Sequence, residues 1–149
     1  MNSIIEIKNL TKTYFISKKI NVLKGINLKF YPGKIYSISG PSGSGKSTLL
    51  NLISLIDKPT IGSIKINGDQ INHDNNREKD LYRSKNIGII YQEKNLLSDF
   101  TALENVLLAR LTHDNNKSKA MFHAKNMIRK VGLEKRLNHY PSQLSGGEK

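Results

Sequence analysis

Residues Gly40, Pro41, Ser42, Gly43, Ser44, Gly45, Lys46, Ser47 and Thr48 have the types and spacing to hold a polyphosphate. Two glycines with four residues between them, then Lys and Ser, make a loop that turns tightly and aims its backbone N–H groups inward. A helix opening straight after the loop would add its positive N-terminus to the same place. In that arrangement Lys46 would sit on the β and γ phosphates of a nucleoside triphosphate, and the Ser47 hydroxyl would ligate Mg²⁺. The plain alternative is a glycine turn that merely joins a strand to a helix. Near the other end of the chain, Leu144, Ser145, Gly146, Gly147 and Glu148 form a second stretch of interest. It is flexible, polar and able to present bare N–H groups, which is the chemistry of an anion contact.

Those residues need elements to hold them. Ile4, Ile5 and Ile7 predict a short, edge-like strand, and Val22, Leu23, Ile26, Leu28 and Phe30 predict a second one ending at Pro32-Gly33, so a hairpin-like pair opens the chain. Residues 34–39, KIYSIS, read as a buried strand entering the glycine loop, and Leu49, Leu50, Leu52, Ile53 and Ile56 follow at helical spacing. Strand, glycine loop, helix is the order a phosphate cradle requires. Residues 63–68 read as another strand, 69–85 as polar loop, and 86–92 as a returning strand. Beyond them the pattern is helical. Thr101 and Glu104 form a capping box ahead of Val106, Leu107, Leu108 and Leu111, while Arg129 and Lys130 before Gly132 end a helix begun near Ser118. No internal repeat and no linker divides the chain.

A length of 149 residues leaves room for one domain or part of one. The balance of 37% hydrophobic and 24% charged residues is that of a folded chain and not a disordered one. With no Cys, disulfides, Cys-ligated zinc and thiol catalysis are excluded. The opening MNSIIEIKNL alternates instead of running apolar, and the longest apolar stretch, residues 49–56, is too short to cross a bilayer, so neither an export leader nor a spanning segment is expected. The formal charge of +12 would suit nucleic acid, an anionic membrane surface or a phosphorylated ligand. Its positive residues, however, are mostly Lys scattered among Asn and Ile. That is a composition bias and not a basic stripe, and no nucleic-acid partner is expected from it.

GPSGSGKST and LSGGE together, with the opening NLTKTY, the approach VLKGINLKFYPGK and the stretch IIYQEKNLLSDFTALENV, make the chain resemble the ATP-binding subunits of ABC transporters along its whole length. The resemblance implies an α/β fold of the P-loop NTPase type: an ABC-type nucleotide-binding domain with an N-terminal antiparallel β part, a partial parallel sheet and a helical subdomain at about residues 93–145, its C-terminal third missing. It implies that Tyr14 stacks on adenine, that Gly40 to Thr48 hold ATP, and that Ser47 and Gln92 serve Mg²⁺, with Gln92 also reaching the attacking water as a catalytic residue. Ser145, Gly146 and Gly147 would contact the γ-phosphate of ATP held by a second copy in a head-to-tail dimer. Transmembrane permease subunits are the other implied partners, which would place the chain peripherally on the cytoplasmic face of the inner membrane. Within the family, NLLSDFTALENV looks most like the lipoprotein-releasing (LolD-type) ATPases, with the macrolide-export and cell-division types close by.

The chain also departs from the family pattern. ATP hydrolysis there needs an apolar strand ending in Asp-Glu and a His beyond the LSGGE stretch, and neither is found in these residues. His73, His113, His123 and His139 all precede it, and the family's Gln-Arg after it is missing. Asp57 reads as the end of the helix after the glycine loop, not as the metal Asp. The implied activity is ATP hydrolysis by family, with turnover by this chain alone not expected: a non-hydrolysing fragment is the alternative reading. Chromosome-maintenance and repair ATPases separate the two motifs with long coiled coils, and no sustained heptads lie between them here. A nucleotide kinase or GTPase would not account for LSGGE, and no NKxD-type base-reading motif is present.

Overall fold

Alternating apolar residues build three strands, β1 (Ile5–Phe15), β2 (Lys19–Phe30) and β3 (Ile61–Ile66), and a fourth, the polar β4 (Asp69–Gln70), is two residues long. In the computed structural model, which describes residues 2–15, 17–91, 95–112 and 116–149, they form one antiparallel sheet in the order β2-β1-β3-β4. β1 is therefore an inner strand and not the short edge strand expected. Its second edge is taken by β3, which pairs Ile5 with Ile66 and Ile7 with Ile64. The expected hairpin-like partnership of β1 with β2 is present, with Ile7 opposite Leu28.

Past Ile7, β1 carries one residue more than either neighbour: Ile7 to Leu10 is three steps against two along β2, and Lys8 to Thr11 is three against two along β3. The extra residue sits at Asn9, whose φ is 49°. Such a bulge inverts the alternation of side chains beyond it. Ile7 faces the core before the bulge; Leu10 and Lys12 are the buried residues after it. Gly62 makes the crossing possible: at φ 96° it passes so close that a Cβ there would lie 2.4 Å from the Asn9 carbonyl oxygen.

α1 (Lys46–Ile53) lays Leu49 and Leu52 on the sheet, and with Leu55 they close a core around Ile7, Leu10, Leu23, Ile64 and Ile66. Leu10, Leu52, Leu55 and Ile64 are wholly shielded, each worth about 2 kcal/mol of transfer free energy. α1 is shorter than its apolar spacing predicts. Ser54 caps it, so Ile56 and Asp57 lie past its end.

Residues 69–85 are not the expected loop, because α2 (Asn76–Asn86) occupies most of them. Asn75 caps it by accepting from the Glu78 N–H, a signal that the low hydropathy of the segment obscures. Tyr82 packs on the core and donates to the Ile66 carbonyl at 2.8 Å, and Arg83 donates to the Leu55 carbonyl at 3.0 Å. The segments expected as strands at 34–39 and 86–92 form no ladder over their described residues. Ile35 is 102% exposed and Ile90 100%. A strand is a property of a pair, and among the described residues nothing lies alongside either segment to accept its hydrogen bonds.

The chain divides into two compact units, and everything up to Ile87 belongs to the first. In the second, from Gly88 on, α3 (Ala102–Leu111) and α4 (Lys117–Lys130) pack through Leu107, Ala120 and Ala124. The Thr101–Glu104 capping box forms as predicted. α4 ends as its sequence indicates: Gly132 at φ 76° lets the Leu133 N–H return to the Ile128 carbonyl at 3.0 Å.

Gly62→Ala should lower stability by about 2 kcal/mol or more, since left-handed strain and a collision with Asn9 act together. Gly33→Ala, at φ 69° with nothing within 4 Å of its new methyl group, carries only the strain and should lose visibly less. Denaturant unfolding of the two variants checks the difference, and equal losses would mean that the Asn9 crossing is not tight.

Candidate functional site

The glycine loop is held from below by β2. Gly45 lies against it so closely that a Cβ would come within 2.9 Å of Leu23 Cδ2 and 3.1 Å of Val22 Cγ1. From the N-terminal side the loop is steadied by two contacts on the ladder-free segment. Tyr36 meets Phe30 edge to face at 4.9 Å, and Ile38 packs on the core. Gly40, Gly43 and Gly45 adopt φ of 146°, 77° and 92°, and the Ser44 N–H closes a turn onto the Pro41 carbonyl.

Where the loop meets α1, Gly45 stands at the capping position with no side chain to cap the helix, and the first turn contains no acidic residue. The N–H groups there are left to an outside acceptor. Lys46 Nζ donates to the Gly40 carbonyl at 2.9 Å and the Pro41 carbonyl at 2.7 Å, and neither partner carries a charge. A cavity of about 560 Å³ opens here, lined by Val22, Ser42, Gly43, Gly45, Lys46, Ser47 and Thr48. It has the lining a phosphate chain requires: free N–H donors, an uncompensated ammonium and hydroxyls. Among the described residues no three His, Asp or Glu side chains gather to hold a metal.

Tyr14 is brought to the same region. Its hydroxyl donates to Asp57 Oδ2 at 2.8 Å, with the Thr48 side chain near enough to favour the ionised phenol. Lys12 Nζ lies 2.6 Å from Asp57 Oδ1 and 2.8 Å from the Lys58 carbonyl, and 4.7 Å from the centre of the Tyr14 ring. Burial and the Asp57 carboxylate push the Tyr14 phenol up from its ordinary value. Burial also works to raise Asp57, but hydrogen bonds from Lys12, Tyr14 and the Lys58 N–H outweigh it and hold the carboxyl below the usual range. Asp57 has both oxygens engaged, as a structural anion. Sequence reasoning singled out Tyr14 but not Lys12, because only the bulge at Asn9 puts Lys12 inside.

In the second unit the Ser-Gly-Gly stretch is a closed turn. Leu144 is buried, and Glu148 reaches back to accept from the Ser145 N–H at 2.8 Å while Arg136 Nε donates to its other oxygen at 2.9 Å. The Glu148 N–H in turn bonds the Ser145 backbone carbonyl at 3.2 Å, so Ser145 and Glu148 close the turn from both ends. Its signal, Ser followed by Glu three residues on, is legible in the sequence. Gly147 has open space around its Cα. The Arg136 that completes the clamp stands at the end of a 3-10 turn, Glu134–Arg136, and α3 braces the residues next to it, since Ala102 and Leu103 donate to the His139 and Leu137 carbonyls. Gln92 lies outside the described residues.

Residues 23–149 match the model of the ABC transporter family. The chain is 45% identical over 147 residues to the lipoprotein-releasing system ATP-binding protein LolD of Wigglesworthia glossinidia brevipalpis, covering 98% of this chain and 64% of that protein. It thus spans just under two thirds of that relative's length. Among solved structures it is similar to the ATP-binding cassette MJ0796, a dimer in a post-hydrolysis state bound to ADP and Pi, with a TM-score of 0.84, 39% identity, and coverage of 97% of this chain and 64% of that one. It is also similar to cbiO1 of Clostridium perfringens, part of the ABC transporter complex cbiONQ, with a TM-score of 0.75, 25% identity, and coverage of 99% and 58%. The glycine loop and the Ser-Gly-Gly turn both fall within the matched residues.

The Ser145 N–H, then the Arg136 guanidinium and the Ser145 hydroxyl, hold the Glu148 carboxyl down to about 2 from an ordinary 4.5. A carboxyl depressed in the folded state supports the turn at pH above its unfolded value, and that support is lost as pH falls through the interval between 4.5 and about 2. In an NMR titration the Ser145 amide should move with a midpoint near the lower value, and Glu148→Gln should abolish the movement. A midpoint at the ordinary carboxylate value would mean that the clamp is open in solution.

Proposed function

The chain belongs to the ABC transporter family, and on that premise we propose that it is the ATP-binding subunit of a transporter that releases lipoproteins from the inner membrane. ATP lies with its phosphates in the loop Gly40 to Thr48, countered by Lys46, with Mg²⁺ on the Ser47 hydroxyl and Gln92. Tyr14 stacks on the adenine. Ser145, Gly146 and Gly147 meet the γ-phosphate of ATP carried by a second copy in a head-to-tail dimer. The other partners are transmembrane permease subunits. No described helix is long and apolar enough to cross a membrane, and on this reading the chain is peripheral, on the cytoplasmic face, through its permease.

One observation carries the reading: Lys46 lines an open cavity, and among the described residues its ammonium bonds only two carbonyls. A cation so placed has surplus charge, and a polyphosphate supplies the strongest hydrogen-bond acceptors for it. The named function of the relative from Wigglesworthia supports lipoprotein as the cargo. The ADP and Pi in the MJ0796 dimer support ATP hydrolysis as the activity and a second copy as the partner. Hydrolysis also needs a carboxylate to orient water and a further Mg²⁺ ligand. Those groups are not in the 149 residues at hand, so these residues bind ATP without turning it over.

Lys46→Ala should weaken ATP binding about tenfold or more, the loss expected when a charged hydrogen-bonding partner goes. Calorimetry measures it, and equal affinity of variant and parent would sink the phosphate-loop reading. Steady-state phosphate release by the 149-residue chain should match that of Lys46→Ala. Release clearly above that of the variant would show that another acid, such as Glu93 beside Gln92, orients the water.

A further inference from the structure

Tyr14 is an unusual ring for a packed strand. Among the described residues it belongs to neither hydrophobic cluster and stacks on no other aromatic ring, whereas Tyr82 packs on the core and Phe30 pairs with Tyr36. It is instead fastened by polar groups. Asp57 Oδ2 holds the hydroxyl at 2.8 Å, and the Thr48 side chain, which lines the phosphate-loop cavity, acts on it from nearby. Beneath the ring lies the ammonium of Lys12, a residue only 8% exposed, 4.7 Å from the ring centre. Lys12 is fixed in turn by Asp57 at 2.6 Å and the Lys58 carbonyl at 2.8 Å. Burying a lysine is costly, and a single carboxylate serving both the lysine and the phenol is a specific arrangement.

We propose that Lys12 and Asp57 are positioning residues that hold the Tyr14 ring as a platform for the flat base of the nucleotide, with one face covered by the ammonium and the other left for the base. The inference rests on the reading that the glycine loop binds the triphosphate and that Tyr14 meets the base. It goes beyond that reading by assigning work to two residues that touch neither phosphate nor base. Two physical effects follow from the arrangement. A ring already held at its hydroxyl and on one face has little freedom left to lose when a base stacks on it. A cation on one face draws the π electrons toward itself, which lessens repulsion between the opposite face and a second π system. Thr48 lines the cavity and acts on the phenol from nearby, so the platform on β1 adjoins the phosphate cradle at the first turn of α1.

Calorimetry with ATP and with inorganic tripolyphosphate, on the parent chain and its variants, separates the two ends of the ligand. Tripolyphosphate has no base, so its binding reports a folded and working phosphate loop. Tyr14→Ala should weaken ATP binding about tenfold to a hundredfold, the usual worth of an aromatic–base stack, and leave tripolyphosphate binding unchanged. Tyr14→Phe keeps the ring but frees its hydroxyl, and Lys12→Met uncovers one face; each should cost about threefold to tenfold in ATP affinity alone. Lys12→Arg should recover most of that loss. Should Lys12→Met lose tripolyphosphate as well, Tyr14→Phe decides, because it leaves the Lys12–Asp57 pair in place. Parent-like ATP affinity in Tyr14→Phe and Lys12→Met, with Tyr14→Ala still weak, would overturn the positioning role and leave the base contact standing. Parent-like affinity in Tyr14→Ala would overturn the base contact itself, and the positioning role with it.

Discussion

One extra residue in β1 determines which side chains reach the phosphate loop. Strict alternation from Ile7 would turn Asn9, Thr11 and Thr13 inward and send Lys12 and Tyr14 to the opposite face. The bulge at Asn9 reverses this, so Leu10 enters the core while Lys12 and Tyr14 come to Asp57 and Thr48. Three neighbours keep the bulge in place. Asn27 accepts from the Asn9 N–H at 2.9 Å, Gly25 passes the Asn9 side chain, and Gly62 passes its carbonyl. None of these residues touches the cavity, yet the environment of Tyr14 depends on them.

The two stretches suited to anions have reached opposite states. At the phosphate loop the helix starts on an uncapped glycine, its first turn contains no acidic residue, and among the described residues Lys46 Nζ bonds only carbonyls. That region carries unbalanced positive charge and N–H donors without acceptors, and an incoming polyanion would meet both needs. At Ser145 the chain supplies its own anion. Glu148 takes the N–H, and Arg136 balances the carboxylate. The loop is thus set up to acquire a charge, while the turn is already internally neutral and shaped, with the glycines beside it small enough for close approach.

Apolar residues alone do not make a strand. Residues 34–39 and 86–91 have the composition of buried strands, and yet Ile35 and Ile90 stand in solvent. What orders the first of these segments is a pair of anchors, Tyr36 on Phe30 and Ile38 on the core. Those two contacts carry the chain into Gly40 without the aid of a ladder. The opposite case is α2, whose polar sequence forms a helix because Asn75 caps it and Tyr82 and Arg83 bind it to β3 and the end of α1.

The sequence by itself determined what depends on neighbours along the chain: the glycine loop and its Lys, the helix that follows, the Thr101–Glu104 box, the glycine stop at Gly132 and the Ser145–Glu148 pair. Each of these is a bond or a backbone angle spanning a few residues, so residue type and spacing suffice to read it. Tertiary structure decided what depends on contact between distant segments. It made β1 an inner strand, buried Lys12 against Asp57 forty-five residues away, turned most of the expected loop at 69–85 into α2, and brought Arg136 to Glu148. A single bulge or a missing ladder partner changes which face a side chain occupies, and neither leaves a mark in the local pattern of apolar residues.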